Sequence, residues 1–180
     1  MNEGLIPSRY AKALHLYAEE AGKAAAVYEQ TERLAAGYEV HPQMSRAVEN
    51  PFLPLADKQL LLVASGAEND GCLDKFFKLV FSHGRESFIR SMALAYGKRY
   101  RDVNKISQVE IATASSFSQA VMDKIKDSVQ THLKGRTLEY RQRVDASLIG
   151  GFTVRVDGEV LDASMSNDLR KLRLKLLSKK

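Results

Sequence analysis

Apolar side chains recur every three to four residues through the first hundred positions, which is the spacing of amphipathic helices. Glycine, proline and short polar residues interrupt this pattern at intervals and mark helix ends. The sequence therefore predicts six helices in this part of the chain. They cover about residues 7–21, 23–40, 44–48, 54–65, 71–82 and 85–104.

After Lys105 the apolar period changes from helical to two, the period of a strand. Val109 and Ile111 indicate a first strand, which a helix over about 121–133 and a second strand over 138–144 follow. A hairpin and a final helix complete the chain. We therefore predict a two-domain, mainly α protein. Residues 1–105 form a six-helix bundle, and residues 106–180 form a small α/β domain with a mixed sheet and a β-hairpin.

The hairpin prediction rests on residues 150–162. Phe152, Val154 and Val156 alternate with polar residues, and Asp157-Gly158 supplies two positions that tolerate positive φ. Gly150-Gly151 removes two Cβ atoms at the strand entrance, which suits a bulge or a close backbone approach. A strand rather than a helix follows this glycine pair, so a phosphate-binding loop is disfavoured.

No group of residues in the sequence predicts an enzyme, a cofactor site or a metal site. The lone Cys72 excludes an internal disulfide and is expected to be a buried apolar residue. The four histidines lack metal-ligand spacing and are expected at the surface or at helix ends. The densest carboxylates, Asp145, Asp157 and Asp162, lie where turns and helix caps use short polar side chains.

Charge leaves several interpretations open. The net charge is +5 with a pI near 9.3, and basic residues crowd the end of the chain. Such a cluster can attract nucleic acid, anionic lipid or an acidic protein partner. It can also be a solvated helix face with favourable charges at the C-terminal end of the helix. Lys98-Arg99-Tyr100-Arg101 and the basic tail are the features that favour a nucleic-acid-binding or other adaptor protein as the alternative. We expect no nucleic acid, because 22 acidic residues offset 27 basic ones.

The chain has no run of the roughly twenty apolar residues that a membrane span needs. Its first residues lack the basic and apolar regions of a secretory signal. We therefore expect a cytosolic protein of a bacterium. A mature organellar form stays open as the other possibility.

Several short motifs occur together in an order that is typical of one family. They are Arg9-Tyr10-Ala11-Lys12-Ala13-Leu14 near the start, Asn50-Pro51 followed by Lys58, Gly84-Arg85 after an apolar helix, and the hairpin with the helix behind it. In these features the chain resembles the ATP synthase delta subunit family, whose mitochondrial relative is the oligomycin sensitivity-conferral protein. The resemblance covers nearly the whole chain.

The resemblance implies a non-catalytic stator subunit of the proton-translocating ATP synthase, which joins the catalytic α/β head to the peripheral b stalk. It implies a peripheral location at the cytoplasmic face of a bacterial cell membrane, with attachment only through partners. It also implies two contacts. The N-terminal helix of an α subunit would bind between the first and fifth helices, at Tyr10, Ala13, Leu14, Phe76, Leu79 and Val80. The b subunits would bind the last helix, at Leu169, Leu172, Leu176 and Arg173. The first set could also serve to pack these two helices against each other.

Overall fold

A computed structural model describes residues 4–66, 71–115, 117, 119–133 and 135–177. Within these residues the chain is mainly helical, with eight α-helices and one four-stranded mixed sheet. The predicted class, mainly α with a mixed sheet, is confirmed. The chain divides into two compact units, Met1–Val103 and Asn104–Lys180, which we call unit 1 and unit 2.

Unit 1 begins with a helix that starts earlier than the sequence predicted. Pro7 lies in its first turn, where the missing N–H costs nothing because first-turn amides have no partner within the helix. Gly22, at φ +66°, ends it as predicted, and Lys23 N–H donates to Ala18 O at 2.8 Å. The helices are α1 (Leu5–Glu20), α2 (Ala24–Val40), α3 (Gln43–Glu49), α4 (Leu55–Ala64), α5 (Cys72–Ser82) and α6 (Ile89–Asn104), with a short 3-10 helix at Glu86–Phe88.

All six helices of unit 1 contribute to one apolar core. Helical spacing places one stripe of each helix inward, so that the apolar positions of the sequence become the buried ones. Its buried members include Leu14, Val27, Leu34, Val48, Leu62, Leu73, Phe77, Val80, Ile89, Met92 and Tyr96. Cys72 is also buried there, as predicted.

Four described polar side chains are buried in unit 1: His15, Gln30, Thr31 and Lys58. Helical spacing predicted none of them, and Lys58 and His15 are the two that can carry a charge. Lys58 is 3% exposed, and its ammonium lies 3.4 Å from the Glu86 carboxylate. His15 is 1% exposed, so the prediction of a surface histidine is wrong at this position. Its ring packs edge-on against Tyr96 at 5.7 Å. The reason is positional, because residue 15 lies between Leu14 and Ala18 on the inward side of α1.

Unit 2 is built on a sheet with strand order β2-β1-β3-β4. β1 and β2 are parallel and are joined by helix α7, whereas β3 pairs antiparallel with both β1 and β4. Val109, Ile111, Met122, Ile125 and Val154 form its buried core. The elements are β1 (Ile106–Thr113), α7 (Gln119–His132), β2 (Thr137–Val144), β3 (Gly151–Val156), β4 (Glu159–Ser164) and α8 (Met165–Leu177), with a 3-10 helix at Ala146–Leu148.

The hairpin between β3 and β4 confirms the sequence prediction. Asp157 and Gly158 adopt φ values of 46° and 97°, as a two-residue turn with two positive φ angles requires. At the strand entrance Gly151 has φ +77°, and a Cβ there would collide with the Ala163 carbonyl oxygen. This is the close backbone approach that the paired glycines predicted.

Candidate partner-binding surfaces

The C-terminal end of α5 is shaped by Gly84 and Arg85. Gly84 takes φ +60°, which lets its N–H reach Phe81 O at 3.0 Å and the Arg85 N–H reach Val80 O at 3.1 Å. This is the Schellman arrangement, which a glycine at the left-handed position permits. It turns the chain back so that the Arg85 side chain reaches α1.

Arg85 holds Tyr10 at the junction of α1 and α5. Its guanidinium donates to the Tyr10 hydroxyl at 3.0 Å and lies 5.3 Å from the ring centre. The same ring packs edge-on against Phe76 at 6.2 Å and against His83 at 6.4 Å. Two separate sequence motifs, the Tyr10 segment and Gly84-Arg85, are therefore parts of one contact.

The structure separates the six predicted α-subunit contacts into two layers. Leu14 and Val80 are 4% and 0% exposed, and Phe76 is also buried, so these three side chains belong to the core. Ala13 is exposed, Leu79 is 47% exposed and Tyr10 is half-buried. A partner could therefore contact Ala13, Leu79 and the edge of Tyr10, while the other three side chains support this surface from beneath.

Two further residues belong to this surface and were missed in the sequence. Tyr17 is exposed on α1, and its hydroxyl accepts a hydrogen bond from the Lys75 ammonium at 3.0 Å. That hydrogen bond raises the pKa of Lys75 above its ordinary value. The helical spacing of Tyr10, Ala13 and Tyr17 was the available signal, because residues three and four apart share a helix face. We call Tyr10, Ala13, Tyr17, Lys75 and Leu79 the α1–α5 strip.

In unit 2 the start of α8 is fixed by a network of short polar side chains. The Asp162 carboxylate accepts from the Ser164 N–H at 3.0 Å and from its hydroxyl at 2.6 Å. These bonds hold the pKa of Asp162 below its ordinary value. Ser164 in turn accepts from the Asn167 N–H at 3.2 Å, so it caps the helix. The predicted capping role of this segment is confirmed.

Beyond its first turn α8 exposes its apolar side chains. Leu169, Leu172 and Leu176 are 55%, 54% and 66% exposed, and their spacing of three and four residues places them on one face. Arg173 is exposed beside them. No residue of α8 from Met165 to Leu177 is buried. A helix with an uncovered leucine face is typical of a partner contact.

A second apolar surface in unit 2 was not predicted. A half-open cavity of about 360 Å³ lies between α7 and the β3–β4 hairpin. Val129 of α7 and Leu133, which directly follows this helix, line one side, and Val156 and Leu161 line the hairpin side. Sequence patterns could not show it, because it exists only where α7 leaves the last strand of the sheet uncovered.

The remaining polar candidates have local structural roles. The Asp145 carboxylate accepts a hydrogen bond from the Ser147 N–H at 3.0 Å. The Asp157 carboxylate, beside the hairpin turn, forms an ion pair with the Arg136 guanidinium at 2.6 Å. His41 and His83 follow the last residues of α2 and α5 as predicted, while the side chain of His132 lies outside the described residues.

Among the described residues, no three His, Cys, Asp or Glu side chains gather as a metal site would require. The described helices include none that is long and apolar enough to cross a membrane.

Comparison with known proteins agrees with the motifs. The family model for the ATP synthase delta (OSCP) subunit matches residues 6–176. ATP synthase subunit delta of Parabacteroides distasonis is 34% identical over 178 residues, which is 98% of each chain. The corresponding subunit of Phocaeicola vulgatus is 33% identical, over 98% of this chain and 96% of its own.

A solved structure shares the fold. A chain in the mitochondrial ATP synthase hexamer of Toxoplasma gondii superposes with a TM-score of 0.72 at 19% identity, covering 95% of this chain and 97% of that one. At this identity the likeness concerns the fold alone.

Fold, motifs and relatives together define a structural subunit of a larger assembly rather than an enzyme in its own right. The chain belongs to the ATP synthase delta (OSCP) subunit family. It is a non-catalytic stator subunit of the ATP synthase, as the motifs implied. The family match gives no support to the alternative of a nucleic-acid-binding protein.

Proposed function

We propose that this subunit joins the α/β head of the ATP synthase to its peripheral b stalk through two separate surfaces, one on each unit. The observation that carries the proposal is that each unit presents an apolar helix surface without a partner within the described chain. In unit 1 this is the α1–α5 strip, and in unit 2 it is the leucine face of α8. A mechanical link needs two contacts and no chemistry.

The first contact is with the N-terminal helix of an α subunit. Ala13 is small and lies between the larger side chains of Tyr10 and Tyr17 along one face of α1, so a helix can approach the backbone of α1 closely. Leu14 and Val80 hold the two helices together beneath it. We further infer that α1 to α6 form a six-helix bundle, because one core joins them.

Replacing Ala13 with Trp tests this contact. The larger side chain should lower the affinity for a peptide copied from the N-terminus of the cognate α subunit by at least about tenfold, because it fills the strip without entering the core. Calorimetric titration of the full chain measures the affinity, and urea unfolding measures stability. Ala36→Trp, at an exposed position on α2, is the matched control. Equal binding by both variants would remove the strip from the interface.

The second contact is between α8 and the b stalk. Its leucine face would give adhesion, and the flanking basic residues Arg170, Lys171, Arg173 and Lys175 would steer an acidic helical partner. We further infer that the subunit lies at the cytoplasmic face of the membrane and is attached there peripherally, through the complex. Burial of the leucine face against the partner would supply most of the binding energy, while the charges around it would mainly set the rate of association.

Two substitutions separate adhesion from steering. Leu172→Ala should raise the dissociation rate of the b stalk, since losing a well-packed leucine costs about 2–5 kcal/mol. Arg173→Ala should chiefly slow association and weaken its salt dependence. Leu174→Ala, on another face of α8, is the control and should leave both rates near those of the parent. If the b stalk dissociates equally fast from Leu174→Ala and from Leu172→Ala, the leucine face has been assigned to the wrong side of α8. If neither variant changes the dissociation rate, the cavity beside α7 is the better site for the b stalk.

A further inference from the structure

The α1–α5 strip has two chemically different ends. α1 and α5 run antiparallel along it, because Tyr10 contacts His83 and Arg85 just beyond the end of α5, whereas Tyr17, about two turns further along α1, contacts Lys75 near the start of α5. One end of the strip is therefore marked by Tyr10 and the other by Tyr17. We call these the Tyr10 end and the Tyr17 end.

The Tyr10 end is basic. Arg85 is bound to Tyr10, and this contact uses one of the five N–H donors that a guanidinium carries. Arg9 is exposed and precedes Ala13 by four residues, so it lies on the same side of α1. Within the described part of the chain, Arg9 has no carboxylate partner. Neither the first turn of α1 nor the last residues of α5 carry an acidic side chain that would offset these charges.

The Tyr17 end is different. Glu20 is exposed and follows Tyr17 by three residues, so its carboxylate borders this end of the strip. The Lys75 ammonium is engaged by the Tyr17 hydroxyl. The nearby Asp74 is paired with Lys78 at 2.7 Å. Charge along the strip thus changes from positive near Tyr10 to mixed near Tyr17.

This asymmetry gives a direction to any bound helix. Carboxylates stabilise a helix at its own N-terminus and cations stabilise it at its C-terminus. An amphipathic helix with that ordinary charge order is complementary to the strip only when its N-terminal turns lie at the Tyr10 end. We propose that the strip selects an amphipathic helix with acidic N-terminal turns and holds it parallel to α1. The inference rests on the proposed α-subunit contact and adds the charge and direction of the bound helix.

Paramagnetic labelling tests the direction. The α-subunit peptide would carry a nitroxide at its N-terminus in one sample and at its C-terminus in another, each bound to the full chain labelled with 15N. We expect the N-terminal label to broaden the amide signals of Tyr10 and Arg85, and the C-terminal label to broaden those of Tyr17 and Lys75. The reverse pattern, or equal broadening at both ends, would overturn the direction.

Charge reversal tests the selection. Arg9→Glu should weaken peptide binding by about three- to tenfold at low salt and less at high salt, because exposed charges are screened. Lys98→Glu on α6 makes the same change in net charge away from the strip and should leave affinity unchanged. Lysines in place of the acidic residues in the peptide's N-terminal turns should restore binding to Arg9→Glu. An affinity of Arg9→Glu equal to that of the control would refute the selection.

The two proposals fail in different ways. If the peptide does not bind the unaltered chain, the α-subunit contact itself is wrong, and the direction falls with it. If it binds and Ala13→Trp blocks it, but the nitroxide pattern is reversed, only the inferred direction is wrong.

Discussion

Lys58 is a charged residue at a position where the pattern around it predicts an apolar one. It follows Asn50-Pro51 in one of the family motifs and occupies a core position of α4, where helical spacing calls for an apolar side chain. Its ammonium is paired with Glu86 and lies 5.9 Å from the centre of the Phe81 ring. The pair joins α4 to the short helix before α6.

Replacing Lys58 should therefore test a buried ion pair. Lys58→Ala should lower the free energy of unfolding by about 3–5 kcal/mol, since it leaves Glu86 without its partner. Lys58→Met, which keeps the volume, should cost less, and Lys58→Met with Glu86→Gln should recover most of the loss. Urea unfolding followed by circular dichroism measures all three. A double variant as unstable as Lys58→Ala would show that the pair itself matters little.

Tyr38 gives unit 1 a dependence on alkaline pH. Burial, with a smaller effect of Glu49, raises the pKa of the Tyr38 phenol well above its ordinary value of 10.0. Because the folded pKa exceeds the unfolded one, the stabilisation is complete below pH 10 and is lost as pH rises beyond it. Tyr38→Phe should flatten the fall in unfolding free energy between about pH 10 and 11. Urea unfolding of the variant and the parent across that pH range measures this. The same slope of unfolding free energy against pH in both proteins would contradict the prediction.

At the scale of elements, the β3–β4 hairpin depends on two glycines for different reasons. Gly158 has φ +97° with open space where a Cβ would lie, whereas Gly151 has φ +77° and backbone in that space. The first glycine supplies a dihedral angle only. The second also supplies room for the neighbouring strand.

These glycines make a matched pair for mutation. Gly158→Ala should cost about 1–2 kcal/mol, the penalty for a side chain in a left-handed conformation. Gly151→Ala should cost about 2–5 kcal/mol, because overpacking against the Ala163 carbonyl adds to that penalty. Thermal unfolding monitored by circular dichroism compares them. Equal losses would mean that the strand entrance relaxes to admit the methyl group.

At the scale of the whole molecule, the two units have separate cores and separate candidate contacts. The predicted domain boundary at residue 105 follows from the change of apolar period, and the compact units divide between Val103 and Asn104. Independent folding of the first domain stays a prediction.

A chain of residues 1–105 should fold alone, because α1 to α6 already complete one core. We expect a cooperative unfolding transition and an affinity for the α-subunit peptide within about twofold of that of the full chain. A chain that ends before Met165 should lose the b stalk and keep the same peptide affinity. Loss of peptide binding in the shorter chain would place part of the α-subunit contact outside unit 1.

The sequence by itself determined the class of elements, their order and the hairpin turn. These follow from local physics, since apolar period selects helix or strand and only certain residues accept positive φ. It also identified the family, because motifs such as Gly84-Arg85 keep their order along the chain.

The tertiary structure alone decided which side chains each element would bury. Leu14 and Val80 were expected at a partner surface and lie in the core, while His15 was expected outside and is buried. The pairing of Arg85 with Tyr10 joins positions 75 residues apart. Such contacts depend on how helices pack, and periodicity gives the faces of a helix without saying which neighbour each face meets.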